Sequence, residues 1–234
     1  MASTSQLLTL TNLRGPAGRL EALLNTGSGD CPYTALVTHP HPPTGGTMHN
    51  KVVYHAMKAL NAFGLPVLRF NFRGTGLSEG VHDEGRGEVD DVRSAVDWLD
   101  SEFGKPILFA GFSFGSVVGL RATCGDPRVA GLIGLGLPVR AAGRDYTYGF
   151  LSGCTQPKLF LSGDQDQFCP PDVLARILET APPPCESFTI ERTDHFFQGV
   201  PGSPHPKLYQ MQAHIGAWLK TQFDIWPRDA EEPL

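Results

Sequence analysis

Apolar and polar positions along this chain fall into two rhythms that take turns. Leu8, Leu10 and Leu13, followed by Leu20, Ala22 and Leu24, alternate weakly around the turn residues Arg14-Gly15-Pro16-Ala17-Gly18. That pattern predicts an antiparallel hairpin at a sheet edge. Beyond it, short apolar runs alternate with stretches of helical period. Tyr33 to His39 reads as a buried strand, Lys51 to Phe63 as a helix stopped by Gly64, and Pro66 to Phe72 as a strand. Gly87 to Phe103 reads as a helix with Val89, Val92, Val96 and Leu99 on one face. Strand Ile107 to Ala110, helix Phe114 to Cys124, strands Val129 to Leu137 and Lys158 to Ser162, helix Pro171 to Ala181, strand Glu186 to Ile190 and helix Pro206 to Phe223 continue the series. Strands that alternate with helices imply an α/β fold, with a mainly parallel sheet covered on both faces.

The connection from Leu137 to Lys158 holds only about 20 residues, enough for a helical turn or two and too few for a second domain. Residues 1–234 are therefore read as one domain, with a polar tail from about residue 227. A chain of this length, 41% hydrophobic, buries roughly 70 to 75% of its unfolded surface without a metal or disulfide staple. The net charge of −5, with basic residues scattered along the chain, disfavours nucleic acid or an anionic membrane as partner. The N-terminus lacks a basic start and an apolar core of signal-peptide length, and no run approaches a membrane span. Cys31, Cys124, Cys154, Cys169 and Cys185 are odd in number and show no metal-ligand spacing. They read as reduced thiols, and the protein as cytoplasmic.

The chemistry is announced at Gly111-Phe112-Ser113-Phe114-Gly115, where an apolar strand runs through Gly-x-Ser-x-Gly directly into a helical pattern. This is the arrangement of a nucleophile elbow, a strained strand-to-helix turn that holds a serine hydroxyl out of the sheet. Small residues at 111 and 115 are needed because bulk there would meet neighbouring backbone. Alone the pentapeptide is weak; its context strengthens it. A serine hydroxyl needs a general base, and that base an orienting carboxylate. In chain order the acid should come first and the histidine second, each just past a strand. Asp166 follows strand Lys158 to Ser162, and His195 follows the strand that ends at Ile190. Asp164 is the alternative acid, but Asp166, three residues after Gly163 and ahead of Cys169-Pro170, is the better placed.

These residues make the chain resemble the α/β-hydrolases. It is most similar to a small, cap-less bacterial group of predicted serine hydrolases that carry His-Pro-His-Pro, Gly-Gly-Thr-Met-x-Asn and Phe-Arg-Gly-x-Gly-x-Ser. Here these stand at residues 39–42, 45–50 and 72–78. The resemblance runs from about Tyr33 to Trp218. It implies an α/β-hydrolase fold with a twisted, mostly parallel sheet of about eight strands, helices on both faces and no cap domain. It also implies Ser113, Asp166 and His195 as a catalytic triad. Cys169-Pro170 departs from the commoner Val-Pro of relatives, and only packing should feel it.

An oxyanion hole needs two preorganised donors. One is the backbone N–H of Phe114, next after the nucleophile. The other should come from the loop after strand Tyr33 to His39, where Pro40, Pro42 and Pro43 have no N–H to give, which leaves His41. A metal bound by His39, His41, His49 and His55 is disfavoured, because no carboxylate lies among them and their spacing is unlike a zinc pair. Arg73-Gly74-Thr75-Gly76 lacks the Lys-Ser/Thr of a phosphate loop and is read as pocket floor. Glu88, Asp90 and Asp91 are read as a solvated, dipole-compatible helix start, and Cys169 as a buried inert thiol.

The expectation is a hydrolase of small carboxylic esters that works through an acyl-serine and needs no cofactor. Short acyl chains, roughly two to six carbons, should be favoured, since a shallow pocket gains little from each added methylene. An aspartate or cysteine nucleophile is excluded by Ser113. Thioesterase, amidase, peptidase or acyltransferase activity uses the same machinery, and a non-catalytic ligand-binding or scaffolding protein could keep the same fold. The natural substrate and the oligomeric state, monomer or dimer, are left open by the sequence.

Overall fold

A computed structural model describes residues 6–10, 12–28, 30–199 and 207–227. The expected signal-free start, the first residue of the helix read from Pro206 and the tail from 228 lie wholly or partly outside the described residues.

Eight strands form one sheet: β1 (Leu7–Leu10), β2 (Ala22–Asn25), β3 (Thr34–Thr38), β4 (Val67–Phe70), β5 (Ile107–Phe112), β6 (Val129–Leu135), β7 (Lys158–Gly163) and β8 (Cys185–Ile190). Their spatial order is β1-β2-β4-β3-β5-β6-β7-β8. The edge hairpin read from the alternating leucines is there. β1 pairs antiparallel with β2, Leu7 opposite Asn25, and β2 pairs antiparallel with β4, Ala22 opposite Phe70. Every further pairing from β4 to β8 is parallel.

Among the described residues, five helices cover the sheet: α1 (Lys51–Asn61), α2 (Gly87–Phe103), α3 (Phe114–Thr123), α4 (Pro171–Leu178) and α5 (Leu208–Phe223). The central strands are buried on both faces, so their apolar runs are continuous and successive residues serve opposite cores. Leu36, Ile107, Phe109 and Phe160 join Val92, Val96, Leu99, Val117 and Leu120 of α2 and α3. Ala35, Val37, Leu108, Ala110, Leu159 and Leu161 join Val53, Met57, Leu60, Met211, Ile215 and Trp218 of α1 and α5. Parallel strands share one C-terminal edge, where the loops after β3, β5, β7 and β8 meet. This is where open α/β sheets bind ligands.

The 137–158 connection contains a two-stranded ribbon, Arg140–Ala141 against Arg144–Asp145, and a 3₁₀ turn at Gly149–Gly153. No cap domain is inserted there. The reduced-thiol reading is corrected for two cysteines: Cys124, at the end of α3, is bonded to Cys154 after the 3₁₀ turn. The argument from thiols to a cytoplasmic location goes with it. Among the described residues, no helix is long and apolar enough to cross a membrane.

Candidate active site

β5 delivers Ser113 at φ +54° and ψ −120°, a left-handed region that non-glycine residues seldom adopt. The turn persists because its surroundings over-determine it. Ser113 N–H donates to Leu135 O at 2.9 Å, and the Ser116 hydroxyl donates to Ser113 O at 2.6 Å. A Cβ at Gly111 would lie 2.6 Å from Ser116 Cα, and one at Gly115 would run into the backbone of Thr38 and His39. The elbow glycines therefore permit two close backbone approaches, one within the turn and one to the end of β3.

Ser113, Asp166 and His195 come together. His195 Nε2 lies 2.9 Å from Ser113 Oγ, and Nδ1 lies 2.8 Å from Asp166 Oδ2. A carboxylate only accepts, so Nδ1 carries the ring proton and Nε2 is left to accept from the serine hydroxyl. All three are buried, His195 and Asp166 at 3% exposure. The imidazole sits among the rings of Phe112, Phe168 and Phe196, at centroid distances of 5.1, 4.5 and 5.3 Å. The second oxygen of Asp166 receives the N–H of Phe168 at 2.9 Å.

Asp164 faces elsewhere. Its Oδ1 accepts the N–H of Thr193 at 2.9 Å, and Gln165 N–H donates to Thr193 O at 3.0 Å, so it ties the loop after β7 to the loop after β8. Desolvation pushes its carboxyl up, but backbone donors at Arg192, Thr193, Asp164 and Gln165 together hold it below the ordinary aspartate value. Gly163 makes this junction possible, because a side chain there would collide with Thr193 O.

His41 and Ser113 line the same cleft of about 270 Å³, together with Phe168, His195, Phe196 and the ribbon residues Ala141 and Ala142. Two larger hollows, of about 650 and 560 Å³, open beside α5 and contain none of the three residues of the hydrogen-bonded line. Phe114 is the first residue of α3, so its N–H has no intrahelical acceptor. Burial, then His82 and Arg144, push the His41 imidazole below the ordinary histidine value, against the pull of Glu88.

His39 has a part that its place among the histidines did not reveal. It is fully buried, and Phe72 N–H donates to its Nε2 at 3.0 Å. Nδ1 therefore holds the proton and donates to Pro40 O at 2.7 Å. Burial pushes this imidazole down to about 3, so it stays neutral and braces the loop that carries His41. The sequence signal was a histidine closing an otherwise apolar strand just before proline.

Two readings are corrected. Arg73 to Gly76 do not line the cleft. The Arg73 guanidinium instead makes a bidentate pair with Asp91, at 2.7 Å for the closer contact. Glu88 and Asp91 are wholly buried rather than solvated: Glu88 accepts from Asp83 N and Gly85 N and lies 2.7 Å from His82 Nδ1. Asp90 does face solvent, paired with Arg93. Cys169 is buried, and desolvation with nearby Asp166 and Asp172 pushes its thiol up to about 12, which keeps it protonated and unreactive.

The sequence also matches an alpha/beta hydrolase domain model over residues 34–217, most of its length. The chain belongs to the α/β-hydrolase family. The chain is 39% identical over 160 residues to an uncharacterised protein of Rickettsia prowazekii, covering 68% of this chain and 67% of that one. Among solved structures it is similar to an α/β serine hydrolase homologue from Coxiella burnetii, at 33% identity and a TM-score of 0.76, over 92% of this chain and 97% of that one. It is equally similar, at 33% identity and a TM-score of 0.76, to a Xanthomonas campestris protein described as an α/β serine hydrolase without lid, over 94% and 95% of the two chains.

Proposed function

We propose that this protein is a serine hydrolase that cleaves small carboxylic esters through an acyl-Ser113 intermediate. The observation that carries the reading is the unbroken hydrogen-bonded line from Ser113 Oγ through His195 to Asp166. His195 takes the hydroxyl proton as Ser113 Oγ attacks the ester carbonyl carbon. The resulting oxyanion is received by the backbone N–H groups of His41 and Phe114, each such donor being worth about 3 to 4 kcal/mol. His195 then gives its proton to the departing alkoxide, and water repeats the cycle on the acyl-enzyme to release the acid. Asp166 keeps the imidazole in the working tautomer and stabilises the imidazolium. Every group in this scheme belongs to the chain, so the reaction uses no cofactor, and a small-molecule ester is the only partner it needs. A thioester or amide would enter the same scheme with a different leaving group.

The test is covalent labelling by a fluorophosphonate together with turnover of a p-nitrophenyl ester. Wild type should be labelled at Ser113, and Ser113→Ala should lose labelling and about 10⁴-fold or more of kcat while keeping its melting temperature. Labelling at another residue, or turnover surviving in Ser113→Ala, would overturn the assignment.

A further inference from the structure

We propose that the tip of the Arg140–Asp145 ribbon, Ala141 and Ala142, is the specificity-determining element of this site and restricts it to short, uncharged acyl groups. The inference rests on the reading of Ser113 as the acyl acceptor. In place of a cap domain, Ala141 and Ala142 of this ribbon join the lining of the cleft around Ser113. The ribbon reverses direction through Ala142 at φ +52° and Gly143 at φ +75°, two successive left-handed residues that make the tightest kind of hairpin turn. A tip of this kind is defined in shape, and with alanine at 141 and 142 it presents no bulky side chain at the cleft.

The ribbon is tethered to the site on both sides. At its root, Val139 N–H donates to Phe168 O at 2.9 Å, and Phe168 is the residue whose ring abuts His195. On its outer strand, Arg144 pairs with the Glu84 carboxylate at 2.6 Å and donates to the Glu84 carbonyl at 2.9 Å. Glu84 in turn belongs to the loop shaped by buried Glu88. The tip is thus held over the cleft between the loop that supplies Asp166 and the loop that precedes α2. Apart from His41 and His195, the described residues lining the cleft carry no ionisable side chain, so a charged acyl terminus would find no counter-ion there.

The experiment compares kcat/KM for p-nitrophenyl acetate, butyrate, octanoate and hemisuccinate in wild type, Ala141→Leu and Arg144→Ala. Phosphonate-labelling stoichiometry and melting temperature serve as folding controls. Wild type should lose at least tenfold from butyrate to octanoate, and at least tenfold from butyrate to hemisuccinate. Ala141→Leu should lower the butyrate-to-acetate ratio tenfold or more, the scale set by one or two methylenes in an apolar pocket. Arg144→Ala, which frees the outer strand, should shrink the octanoate penalty severalfold. Labelled, folded variants with the wild-type chain-length profile would overturn the ribbon's role and leave the hydrolase reading intact. Hemisuccinate turned over as fast as butyrate would overturn the restriction to uncharged groups. A wild type that resists every phosphonate and hydrolyses no ester would overturn the hydrolase reading, and the ribbon inference with it.

Discussion

Asp164 and Asp166 stand two positions apart in one loop, and their surroundings separate their roles. Asp166 Oδ2 faces His195 Nδ1, whereas Asp164 is spent on backbone donors of the neighbouring loop. On the proposed mechanism, Asp166→Asn should reduce kcat by about 10⁴, because an amide favours the wrong imidazole tautomer. Asp164→Asn should cost about tenfold or less, through a loosened loop. Matched kcat measurements decide between them, and a larger loss at Asp164 would reverse the assignment. His39 supplies a second test at this scale. Its imidazole titrates near 6.5 in an unfolded chain but only at about 3 in the fold, so between those values the unfolded state binds the extra proton. Stability is therefore fully present above about pH 6.5 and declines by about 1.4 kcal/mol for each pH unit below it. His39→Gln should be less stable at pH 7, having lost packing, yet show a shallower decline between pH 6.5 and 4.5. Denaturant titrations at both ends of that window measure the difference, and parallel slopes would mean that His39 is not held neutral.

Helix α2 shows why one element can be legible in its course and illegible in its chemistry. Its bounds, Gly87–Phe103, coincide with those read from the sequence, because Val92, Val96 and Leu99 recur on one face. The fate of its first acidic residues depends on Arg73 and His82, which arrive from the preceding loop, and periodicity carries no trace of them. Removing one partner of a buried ion pair leaves the other charge uncompensated, at a cost of about 3 to 5 kcal/mol. Asp91→Ala should therefore destabilise the fold by about that much, whereas Asp90→Ala, on the exposed side, should change it by under about 0.5 kcal/mol. Chemical denaturation of the two variants compares them; equal losses would contradict the burial of Asp91. The same contrast runs through the site. Ser113, Asp166 and His195 could be read because each follows a strand in a fixed order. The ribbon at Arg140–Asp145 could not, because two-residue strands have no alternation and Ala142-Gly143 lacks the usual Asn-Gly turn signal.

Across the whole molecule, the parallel strands bring loops far apart in sequence to one edge, and the Cys124–Cys154 bond ties the opposite edge, where α3 ends and β7 is about to begin. α3 begins immediately after Ser113 and ends at Cys124, while Cys154 closes the segment that holds the ribbon and leads into β7. The thiol reading failed because the count of five cysteines is silent on which pair the fold brings together. The bond spans 30 residues, and a cross-link of that length restricts the unfolded chain by about 3 to 4 kcal/mol in the loop-closure description. Wild type should therefore lose about that much stability when a reductant is present during denaturant unfolding. The double variant Cys124→Ser/Cys154→Ser should begin at the lower value and ignore the reductant. Ser113 labelling should survive in both, because Ser113, Asp166 and His195 are set by the ends of β5, β7 and β8, outside the covalent loop's own closure. Thiol titration of the unreduced, unfolded protein adds an independent count: three free thiols from Cys31, Cys169 and Cys185 are expected. Five titrating thiols, together with stability unmoved by reductant, would refute the bond and restore the reduced reading.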